Sequence, residues 1–464
     1  MSGCNDRPAM AQDISTEERP VHETQERPRR GEVLELDVES LAYGGKGIAR
    51  RNGYVVFVAG ALPGDRVRAE VTKAKRGYAE ASTREIVRPS PDRLPPRCDH
   101  GGEPCPGAPW QSLPYEQQLR HKRSQVRDAL VRLGGLEGFE LEEIEPALEQ
   151  WRYRNKLEYS FGERAGELVL GFHARGRWDL VIDAEDCRLA SERNNARRNE
   201  LRNWARAQGL PAYDRRAREG ILRNLVIREG RRTGQLQSRL VTSPAEIPRP
   251  PVDLHTIVEG SGGGTDGPTG VLGQEYLEEE LCGLRLRISH GAFFQTNTEM
   301  AERLYGIAAR MAGLTGRERV FDLFCGIGTL GLSLASGAAE VWGVEIVPEA
   351  IVDAEENARR NGIENARFRA GDARKEIRPL LDEAGPPDLV VVDPPRAGLS
   401  KKVVRRLIEC DAPRIVYVSC NPTTLAPNAA QLSEAGYRVR RVKPVDMFPQ
   451  TPHIECVALL EKAP

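Results

Sequence analysis

The chain has 464 residues, of which 39% are hydrophobic and 29% are charged, as in a water-soluble globular protein. At roughly 150 residues per domain, this length suggests about three domains. Lys and Arg number 67 and Asp and Glu 68, so the net charge of -1 indicates no particular partner. No apolar run approaches the ~18 residues of a membrane-spanning helix, and residues 1–15 lack the apolar core of a secretion signal. We therefore expect a cytoplasmic protein with no membrane partner.

Nine cysteines are spread along the chain. In a cytosolic protein we expect them to be free thiols, metal ligands or nucleophiles rather than a disulfide framework. They are Cys4, Cys98, Cys105, Cys187, Cys282, Cys325, Cys410, Cys420 and Cys456.

The N-terminal part changes character near residue 31. Residues 1–30 are polar and rich in Arg, Glu and Pro, which predicts a disordered tail. Residues 31–88 contain short alternating runs separated by turn pairs such as Asn52-Gly53, which predicts a small OB-like antiparallel β-barrel of about five strands. Basic residues at its turns lie beside Tyr43, Tyr54 and Tyr78. This pattern suits single-stranded nucleic acid, and solvated turns with core tyrosines explain it equally well.

Residues 89–285 form a predicted central domain. It begins with a Pro-rich linker at 89–97, and a basic helix is predicted from Tyr115 to about Leu133. Residues 150–285 are predicted to be mixed and mainly β, and the Gly-rich stretch 260–270 is predicted to be a flexible loop.

Charge is uneven within this domain. Between Arg188 and Leu240 there are 14 Lys and Arg residues against 5 Asp and Glu. Because each Arg can neutralise a phosphate, the stretch is a candidate RNA-binding surface. An Arg-rich solvated helix face is the alternative, and the composition of the chain favours it.

Strands alternate with helices in residues 286–464, which indicates a Rossmann-like, doubly wound and mainly parallel sheet. The predicted strands are Val320–Phe324, Val341–Glu345, Arg367–Arg369, Asp388–Asp393 and Arg414–Ser419, with strand-like runs at 439–446 and His453–Leu460 and helices at 300–312, 349–361 and 400–409. Ligands of such a sheet bind at the C-terminal ends of its strands.

The first strand ends at a glycine pair. Gly326 and Gly328 lack side chains, so a ligand can approach this backbone closely. Glu345 closes the second strand, where an acidic residue takes ribose hydroxyls. The third phosphate-binding glycine of a dinucleotide site is missing. The sequence therefore favours a nucleoside cofactor such as S-adenosylmethionine.

Three further strand ends carry reactive side chains. Asp393 precedes Pro394-Pro395, which fixes a rigid extended corner. Cys420 follows the fifth strand, at the mouth of the sheet, and a thiol there needs activation before it can attack. Glu455 begins the terminal strand among apolar neighbours, and partial desolvation there would raise its pKa and suit a base; taken alone, the pattern favours an exposed carboxylate at a strand end.

Together these motifs resemble the RNA uracil-5 methyltransferases, specifically the subfamily with an N-terminal TRAM barrel that modifies 23S rRNA. The resemblance covers about residues 31–462, and Asp-Pro-Pro-Arg, Ser-Cys-Asn-Pro and His-Ile-Glu in this order are specific to the family. The matching segments are YRNKLEYSFG (153–162), FFQTNTEMAERLY (293–305), DLFCGIGTLGLSLA (322–335), GVEIVPEAIVDAEENARRNGI (343–363), VVDPPRAGL (391–399), YVSCNPTTLA (417–426) and DMFPQTPHIECVALL (446–460).

The resemblance implies a role for each of these residues. Cys420 resembles the nucleophile that adds to carbon 6 of uracil, and Glu455 resembles the base that removes the carbon 5 proton. The positions that match the S-adenosylmethionine site are Gln295, Phe324, Glu345 and Asp393, with Thr329 as a further candidate beside Gly326 and Gly328.

The chain departs from the subfamily at its iron–sulfur motif. Cys98, Cys105 and Cys187 match three of the four cluster cysteines, and Ala108 stands where the remaining one belongs. Three cysteines cannot complete a four-thiolate site. Asp99 or His100 can substitute, the cluster can be a three-iron cluster, or it can be lost. The other five cysteines receive no catalytic role.

The sequence therefore predicts a monomeric methyltransferase that modifies carbon 5 of a uridine in 23S rRNA. The resemblance favours rRNA over tRNA, because tRNA-specific relatives typically lack the barrel; the same chemistry on a tRNA uridine is the alternative, since relatives with a barrel can also act on tRNA. A non-catalytic RNA-binding or RNA-folding protein would be expected to have lost Cys420, Glu455 or the glycines, and all are present. Methyl transfer to another base or to protein would leave Cys420 without a purpose.

Overall fold

The structure is a computed structural model that describes residues 27–100, 103–252, 255–259 and 265–463. Most of the predicted tail, residues 1–26, lies outside the described residues. The described chain forms two compact units: one holds the residues up to Leu41 with Lys46–Ser90, and the other holds Ala42–Gly45 with the residues from Pro91 onward. In the described part, no helix is both long and apolar enough to cross a membrane.

The first unit is a closed five-stranded barrel with strand order β1-β2-β3-β5-β4. Its strands are β1 (Val33–Leu41), β2 (Gly47–Arg51), β3 (Tyr54–Ala59), β4 (Arg66–Ala74) and β5 (Tyr78–Arg88). Alternate residues such as Leu34, Leu36 and Val56 point inward and are buried, as the alternating pattern predicts. The expected barrel is confirmed, but β3 and β5 pair in parallel. A closed ring with an odd number of strands cannot be antiparallel at every pair.

The second unit begins with small elements and a helix. These are β6 (Asp99–His100), β7 (Glu103–Pro104), α1 (Tyr115–Asp128) with a π-helical continuation Ala129–Leu133, and β8 (Glu140–Leu141). Helix α1 buries Val126, and its continuation buries Leu130, in the core of the C-terminal sheet. The predicted helix 115–133 therefore exists and packs on the C-terminal part of the chain.

A seven-stranded sheet follows, with strand order β11-β10-β9-β12-β13-β14-β15. Its elements are β9 (Lys156–Arg164), β10 (Glu167–Ala174), β11 (Arg177–Asp183), α2 (Glu192–Ala207), β12 (Leu222–Glu229), β13 (Leu236–Thr242), β14 (His255–Glu259) and β15 (Thr265–Val271). Tyr159, Leu225 and Leu201 of α2 share its core. The predicted loop 260–270 is wrong for residues 265–270, which belong to β15, and residues 260–264 lie outside the described residues.

The C-terminal part is an eight-stranded sheet of order β20-β19-β18-β21-β22-β24-β23-β8. After a hairpin of β16 (Tyr276–Leu281) and β17 (Leu284–Ser289), its elements are α3 (Thr298–Ala312), β18 (Arg319–Leu323), α4 (Thr329–Leu334), β19 (Glu340–Glu345), α5 (Pro348–Arg360), β20 (Ala366–Ala370), α6 (Ala373–Ala384), β21 (Leu389–Val392), α7 (Lys401–Cys410), β22 (Arg414–Ser419), α8 (Pro422–Glu434), β23 (Tyr437–Val445) and β24 (Glu455–Lys462).

The central strands of this sheet are buried on both faces. Leu389 and Val391 pack into one hydrophobic core, whereas Val390 and Val392 pack into the other. Strands covered on both sides are apolar throughout, which explains the uninterrupted run Leu389–Val392. Strands β18 to β22 pair in parallel, so their C-terminal ends meet at one edge. The predicted Rossmann-like sheet is confirmed.

Candidate active site

A cavity of about 970 Å³ opens at the C-terminal ends of the parallel strands. Cys420 and Glu455 both line it, and so do six of the seven residues predicted to bind the cofactor. Those six are Gln295, Phe324, Gly326, Thr329, Glu345 and Asp393. Residues from four strand ends therefore meet in one space, as the topology requires.

The turn after β18 has an unusual backbone. Phe324 has φ +68° although it carries a bulky side chain, and such strained positions cluster at functional sites. Gly326 has φ +55°, and a Cβ added there would meet open space. Gly328 is not among the cavity-lining residues; it has φ +81°, and its Cβ would meet Phe368 and Ala354. We expected Gly328 to let a ligand approach, but its place in the fold is a tight turn packed against protein.

The Glu345 carboxylate is held at the end of β19. Its two oxygens accept the backbone N–H groups of Gly326 (3.2 Å) and Val347 (3.0 Å). These hydrogen bonds tie the first strand-to-helix turn to the second. The carboxylate therefore faces the cavity in a fixed orientation.

A buried amide links two other cavity residues. The side chain of Gln295 hydrogen-bonds both the Asp393 carboxylate and the Tyr305 side chain. Burial raises the pKa of Asp393 to about 7, and the hydrogen bond from Gln295 opposes this shift. Asn155 fixes the position of Gln295, because its side-chain amide donates to the Gln295 carbonyl at 2.9 Å.

Asp322 is a cavity residue that we did not predict. One carboxylate oxygen accepts the Gly331 N–H at 2.8 Å, and the other is buried without a hydrogen-bond partner. Burial raises the pKa of Asp322 to about 7, with a further contribution from Asp393. It lies in the middle of the predicted strand Val320–Phe324, and a carboxylate within an apolar strand was the only available signal.

Cys420 lies between β22 and α8. Asn421 caps α8 by accepting the Thr423 N–H (3.0 Å), and Pro422 occupies the first helical turn, so the thiol sits on a well-defined corner. Burial raises the pKa of Cys420 to about 12, and Glu455 and Asp393 add to the shift, while Arg396 opposes it. The thiol is therefore protonated at neutral pH.

Glu455 is the first residue of β24 and is only 3% exposed. Burial raises its pKa well above the usual range for a carboxyl group, and the nearby Asp393 acts in the same direction. Arg396 opposes the shift. Glu455 is therefore a desolvated carboxyl group whose burial exceeds the partial desolvation that the sequence suggested.

Helix α1 holds the segment that leads into β24. The Lys122 ammonium is fully buried and donates to Asp446 (2.5 Å) and to the Phe448 carbonyl (3.0 Å). Gln118 accepts the Gln450 N–H at 2.9 Å. A basic helix far away in the sequence therefore fixes one wall of the cavity.

Arg396, His453 and Tyr43 complete the surroundings of Cys420. Arg396 and His453 line the cavity, and burial lowers the pKa of His453 to about 4, so its imidazole is neutral at pH 7. Tyr43 belongs to the same compact unit as Cys420, and burial raises its pKa to about 12. We predicted Tyr43 as a barrel aromatic, and the fold groups it with the C-terminal core instead.

The three cysteines of the predicted cluster meet in a second, much smaller cavity of about 30 Å³. His100 also lines it, and so does Ala108, at the position of the missing cysteine. The side chain of Asp99 lies outside the described residues. A four-iron cluster requires four thiolates, and this space holds only one or two bodies the size of water. The described residues therefore do not fit the four-iron cluster that the resemblance implies.

Many of the arginines between 188 and 240 are used inside the protein. Arg198 and Arg202 are buried and pair with Asp183 (3.7 and 2.6 Å). Arg228 and Arg239 donate to backbone carbonyls at 2.7–3.1 Å. These residues hold elements together, so the net charge of the segment overstates the positive surface that it offers.

A groove lined by aromatic and charged side chains remains on the same sheet, with Glu163, Asp179 and Asp214 beside its three arginines. Its volume is about 310 Å³. The guanidinium of Arg216 lies 4.8 Å from the ring centre of Trp178, and that of Arg223 lies 3.6 Å from the ring centre of Tyr213. Arg215 lines the groove, and Trp178 is 52% exposed.

Comparison with known proteins agrees with this architecture. The family model described as tRNA (uracil-5-)-methyltransferase matches residues 266–463, and the TRAM domain model matches residues 27–83. An uncharacterised RNA methyltransferase of Halalkalibacterium halodurans is 38% identical over 448 residues, which cover 93% of this chain and 97% of the relative. The chain belongs to the RNA (uracil-5-)-methyltransferase family. A second RNA methyltransferase, from Caldanaerobacter subterraneus, is 37% identical over 455 residues and covers 94% of this chain and 100% of the relative.

A solved structure extends this agreement to three dimensions. The tRNA (uracil-54, C5)-methyltransferase of Pyrococcus abyssi, in complex with S-adenosyl-L-homocysteine, has a TM-score of 0.75 and 27% identity. The match covers 92% of this chain and all of that chain. The predicted family, the TRAM barrel and the methyltransferase sheet are confirmed, and the protein is an RNA methyltransferase.

Proposed function

We propose that this enzyme transfers a methyl group from S-adenosylmethionine to carbon 5 of a uridine in 23S rRNA through a covalent Cys420–uracil adduct. The observation that supports this most directly is that Cys420 and Glu455 line one cavity, together with the predicted cofactor residues. A nucleophile and a desolvated carboxyl group in one space match the two roles that carbon 5 chemistry requires.

S-adenosylmethionine would be held by Gln295, Phe324, Gly326, Thr329, Glu345 and Asp393, and it supplies the methyl group. The family resemblance and the cavity support this assignment. Glu345 suits ribose hydroxyls, because backbone N–H groups already fix both of its oxygens.

The protein's own groups carry the remaining steps. The Cys420 thiol loses its proton to water, and the thiolate sulfur forms a bond to carbon 6. The electron pair of the 5,6 double bond moves into the carbonyl at position 4, which makes carbon 5 nucleophilic. After methylation of carbon 5, the Glu455 carboxylate takes the proton from that carbon. The electrons of the C–H bond re-form the double bond, the bond between sulfur and carbon 6 breaks, and the sulfur leaves as thiolate.

In the free enzyme, the raised pKa of Cys420 makes ionisation of the thiol unfavourable. The pKa of Cys420 is about 12, so the thiolate is scarce at pH 7 until a cation stabilises it. Arg396 lines the cavity and lowers this pKa. We propose that Arg396 provides this stabilisation.

Two surfaces, each within its own unit, are candidates for RNA binding: the barrel, and the groove beside Trp178 that is lined by arginines and aromatic rings. Exposed bases stack on aromatic rings, and arginines bind the backbone, as in single-stranded RNA recognition. On the barrel, Lys46 and Lys73 pair with Glu80, while Lys75 and Arg76 are exposed at the β4–β5 turn.

The double variant Lys75→Gln with Arg76→Gln should lower RNA affinity. The slope of the logarithm of the RNA-binding constant against the logarithm of salt concentration should become shallower by about 2.

A tRNA substrate is the second candidate, because the solved structure that matches 92% of this chain is a tRNA (uracil-54, C5)-methyltransferase. Mass spectrometry of 5-methyluridine in rRNA and tRNA, from cells with and without the gene, separates the two. Loss of the modification from 23S rRNA supports our proposal, and loss from tRNA alone supports the alternative. Unchanged 5-methyluridine in both RNAs would contradict both.

A further inference from the structure

Three side chains near the start of the second unit are arranged as ligands of one small ion. The ligand atoms of Cys98, His100 and Cys105 all lie within 4.8 Å of one another, and the Cys98 sulfur is 3.1 Å from Nε2 of His100. Tetrahedral zinc, with bonds of about 2.3 Å to sulfur and 2.0 Å to nitrogen, places its ligands roughly 3.5–3.8 Å apart. The three donors are therefore at spacings that one ion can span.

Cys187 is the candidate for a fourth donor, although its sulfur is not among the ligand atoms that all lie within 4.8 Å of one another. It lines the same cavity of about 30 Å³ and is 6% exposed. It lies in the loop between β11 and α2, about 80 residues after Cys105 in the chain. A cavity of this size accommodates a single ion and is too small for the eight atoms of a four-iron cluster.

The sulfurs also receive backbone hydrogen bonds. Cys105 accepts the N–H groups of Gly107 and Ala108, and Cys187 accepts those of Leu189 and Ala190. These N–H groups, two and three positions further along the chain, would donate to a metal-bound thiolate. A buried apolar cysteine that only fills space needs no such donors.

We propose that Cys98, His100, Cys105 and Cys187 bind one zinc-class ion, in place of the iron–sulfur cluster of the related subfamily. Three thiolates and one imidazole form a regular donor set for structural zinc, whereas a four-iron cluster takes four thiolates. Ala108, at the position of the missing cysteine, contributes no ligand. His100, two residues after Cys98, supplies the fourth ligand instead.

This ion would stabilise one wall of the active site. Arg154 lines both the metal cavity and the active-site cavity, and its guanidinium lies 5.9 Å from the ring centre of Phe448. The adjacent Tyr153 donates its hydroxyl to the Pro449 carbonyl at 3.1 Å. Tyr153 and Arg154 therefore pack against Phe448 and Pro449 next to the metal cavity. The ion would act structurally, by holding these contacts in place.

The test is the metal content of the full-length protein, purified without oxygen from cells supplied with both iron and zinc. We expect about one zinc per chain, no acid-labile sulfide and no broad visible absorption. Replacement by cobalt should give the ligand-field bands of tetrahedral thiolate coordination. Iron with acid-labile sulfide in stoichiometric amounts, or protein without bound metal, would overturn the proposal.

Variants of His100 identify the fourth ligand. His100→Ala should weaken zinc binding more than about tenfold in competition with a chromophoric chelator, and His100→Cys should restore it. His121→Ala and Cys4→Ser serve as matched controls and should leave zinc affinity unchanged. Wild-type zinc affinity in His100→Ala would remove His100 from the site and overturn the four-ligand assignment.

The proposal is independent of the methyl-transfer mechanism. A Cys420→Ala chain should bind the same ion, because Cys420 lines the other cavity. Loss of zinc from that variant would contradict a separate metal site. Methyl-transfer activity therefore does not enter the test.

Discussion

Two thiols of the protein, Cys420 and Cys105, have surroundings that shift their pKa values in opposite directions. Cys420 faces Glu455 and Asp393, and burial with these acids raises its pKa to about 12. Cys105 is also buried, but hydrogen bonds from the Cys98 thiol, from His100 and from two backbone N–H groups lower its pKa below the usual value of a thiol. Burial alone therefore does not decide the chemistry of a cysteine; the donors and charges around the sulfur do.

Removal of the Cys420 sulfur should have the largest effect. Cys420→Ala should reduce single-turnover methyl transfer by roughly 10⁴-fold or more, because carbon 5 is no longer activated. RNA affinity should stay near the wild-type value. Cys410→Ala, a buried thiol of α7, is the matched control and should keep its turnover rate. Normal turnover by Cys420→Ala would exclude covalent catalysis.

Removal of the carboxylate of Glu455 should trap the adduct. Glu455→Gln should slow turnover by roughly 10²–10⁴-fold, the usual contribution of a general base. A covalent RNA–protein species should accumulate, because the carbon 5 proton stays in place and the sulfur cannot leave. Denaturing gel electrophoresis detects it, and the double variant with Cys420→Ala should show none. If Glu455→Gln forms no adduct, the base lies elsewhere.

The difference between the thiols also predicts a pH dependence. Because the pKa of Cys420 is about 12 in the free enzyme, the thiolate fraction and kcat/KM should rise about tenfold per unit between pH 7 and pH 9. Arg396→Gln removes the cation that lowers this pKa, so kcat/KM should fall about tenfold across the range. Arg405→Gln, on the exposed face of α7, should have no effect. A flat pH profile in the wild type would show that the attacking thiol is already ionised.

The last expected effect concerns stability rather than catalysis. The pKa of Asp322 is about 7 in the folded protein and about 3.9 in the unfolded chain, so its stabilising contribution is complete below pH 4 and is lost as the pH rises through 7. This amounts to about 4 kcal/mol. Asp322→Asn should therefore unfold at a higher temperature than the wild type at pH 8, without cofactor. The exposed Asp382→Asn should unfold at the wild-type temperature at pH 8. An unfolding temperature of Asp322→Asn no higher than that of Asp382→Asn would contradict a buried neutral carboxyl group.

Local pattern predicted much of the fold correctly. The alternating runs of residues 31–88 and the apolar run Leu389–Val392 gave strands, since burial on one or two faces leaves a direct mark on the sequence. Helix α6 was missed: Asp372 caps it by accepting the Arg374 N–H, and Ile377 and Leu380 are buried, but Pro379 interrupts the pattern. The parallel β3–β5 pair follows from ring closure, which no local run encodes.

Long-range contacts decided what the arginines and glycines do. Arg198 and Arg228 look like phosphate ligands in the sequence, yet both are buried against protein groups. Gly328 looks like a ligand-binding glycine, yet its Cβ direction is filled by Phe368. The same residue type serves a ligand or a neighbouring element, depending on contacts far away in the chain.

The sequence by itself determined the family, the strand ends that carry Cys420 and Glu455, and the replacement of a cluster cysteine by Ala108. These features are local, because a motif at a strand end fixes both its residues and its edge of the sheet. Only the tertiary structure brought Asp322 and Arg396 into the cavity and gathered His100 with three cysteines. It also set the pKa of each thiol, because burial and neighbouring charges come from residues distant in the chain.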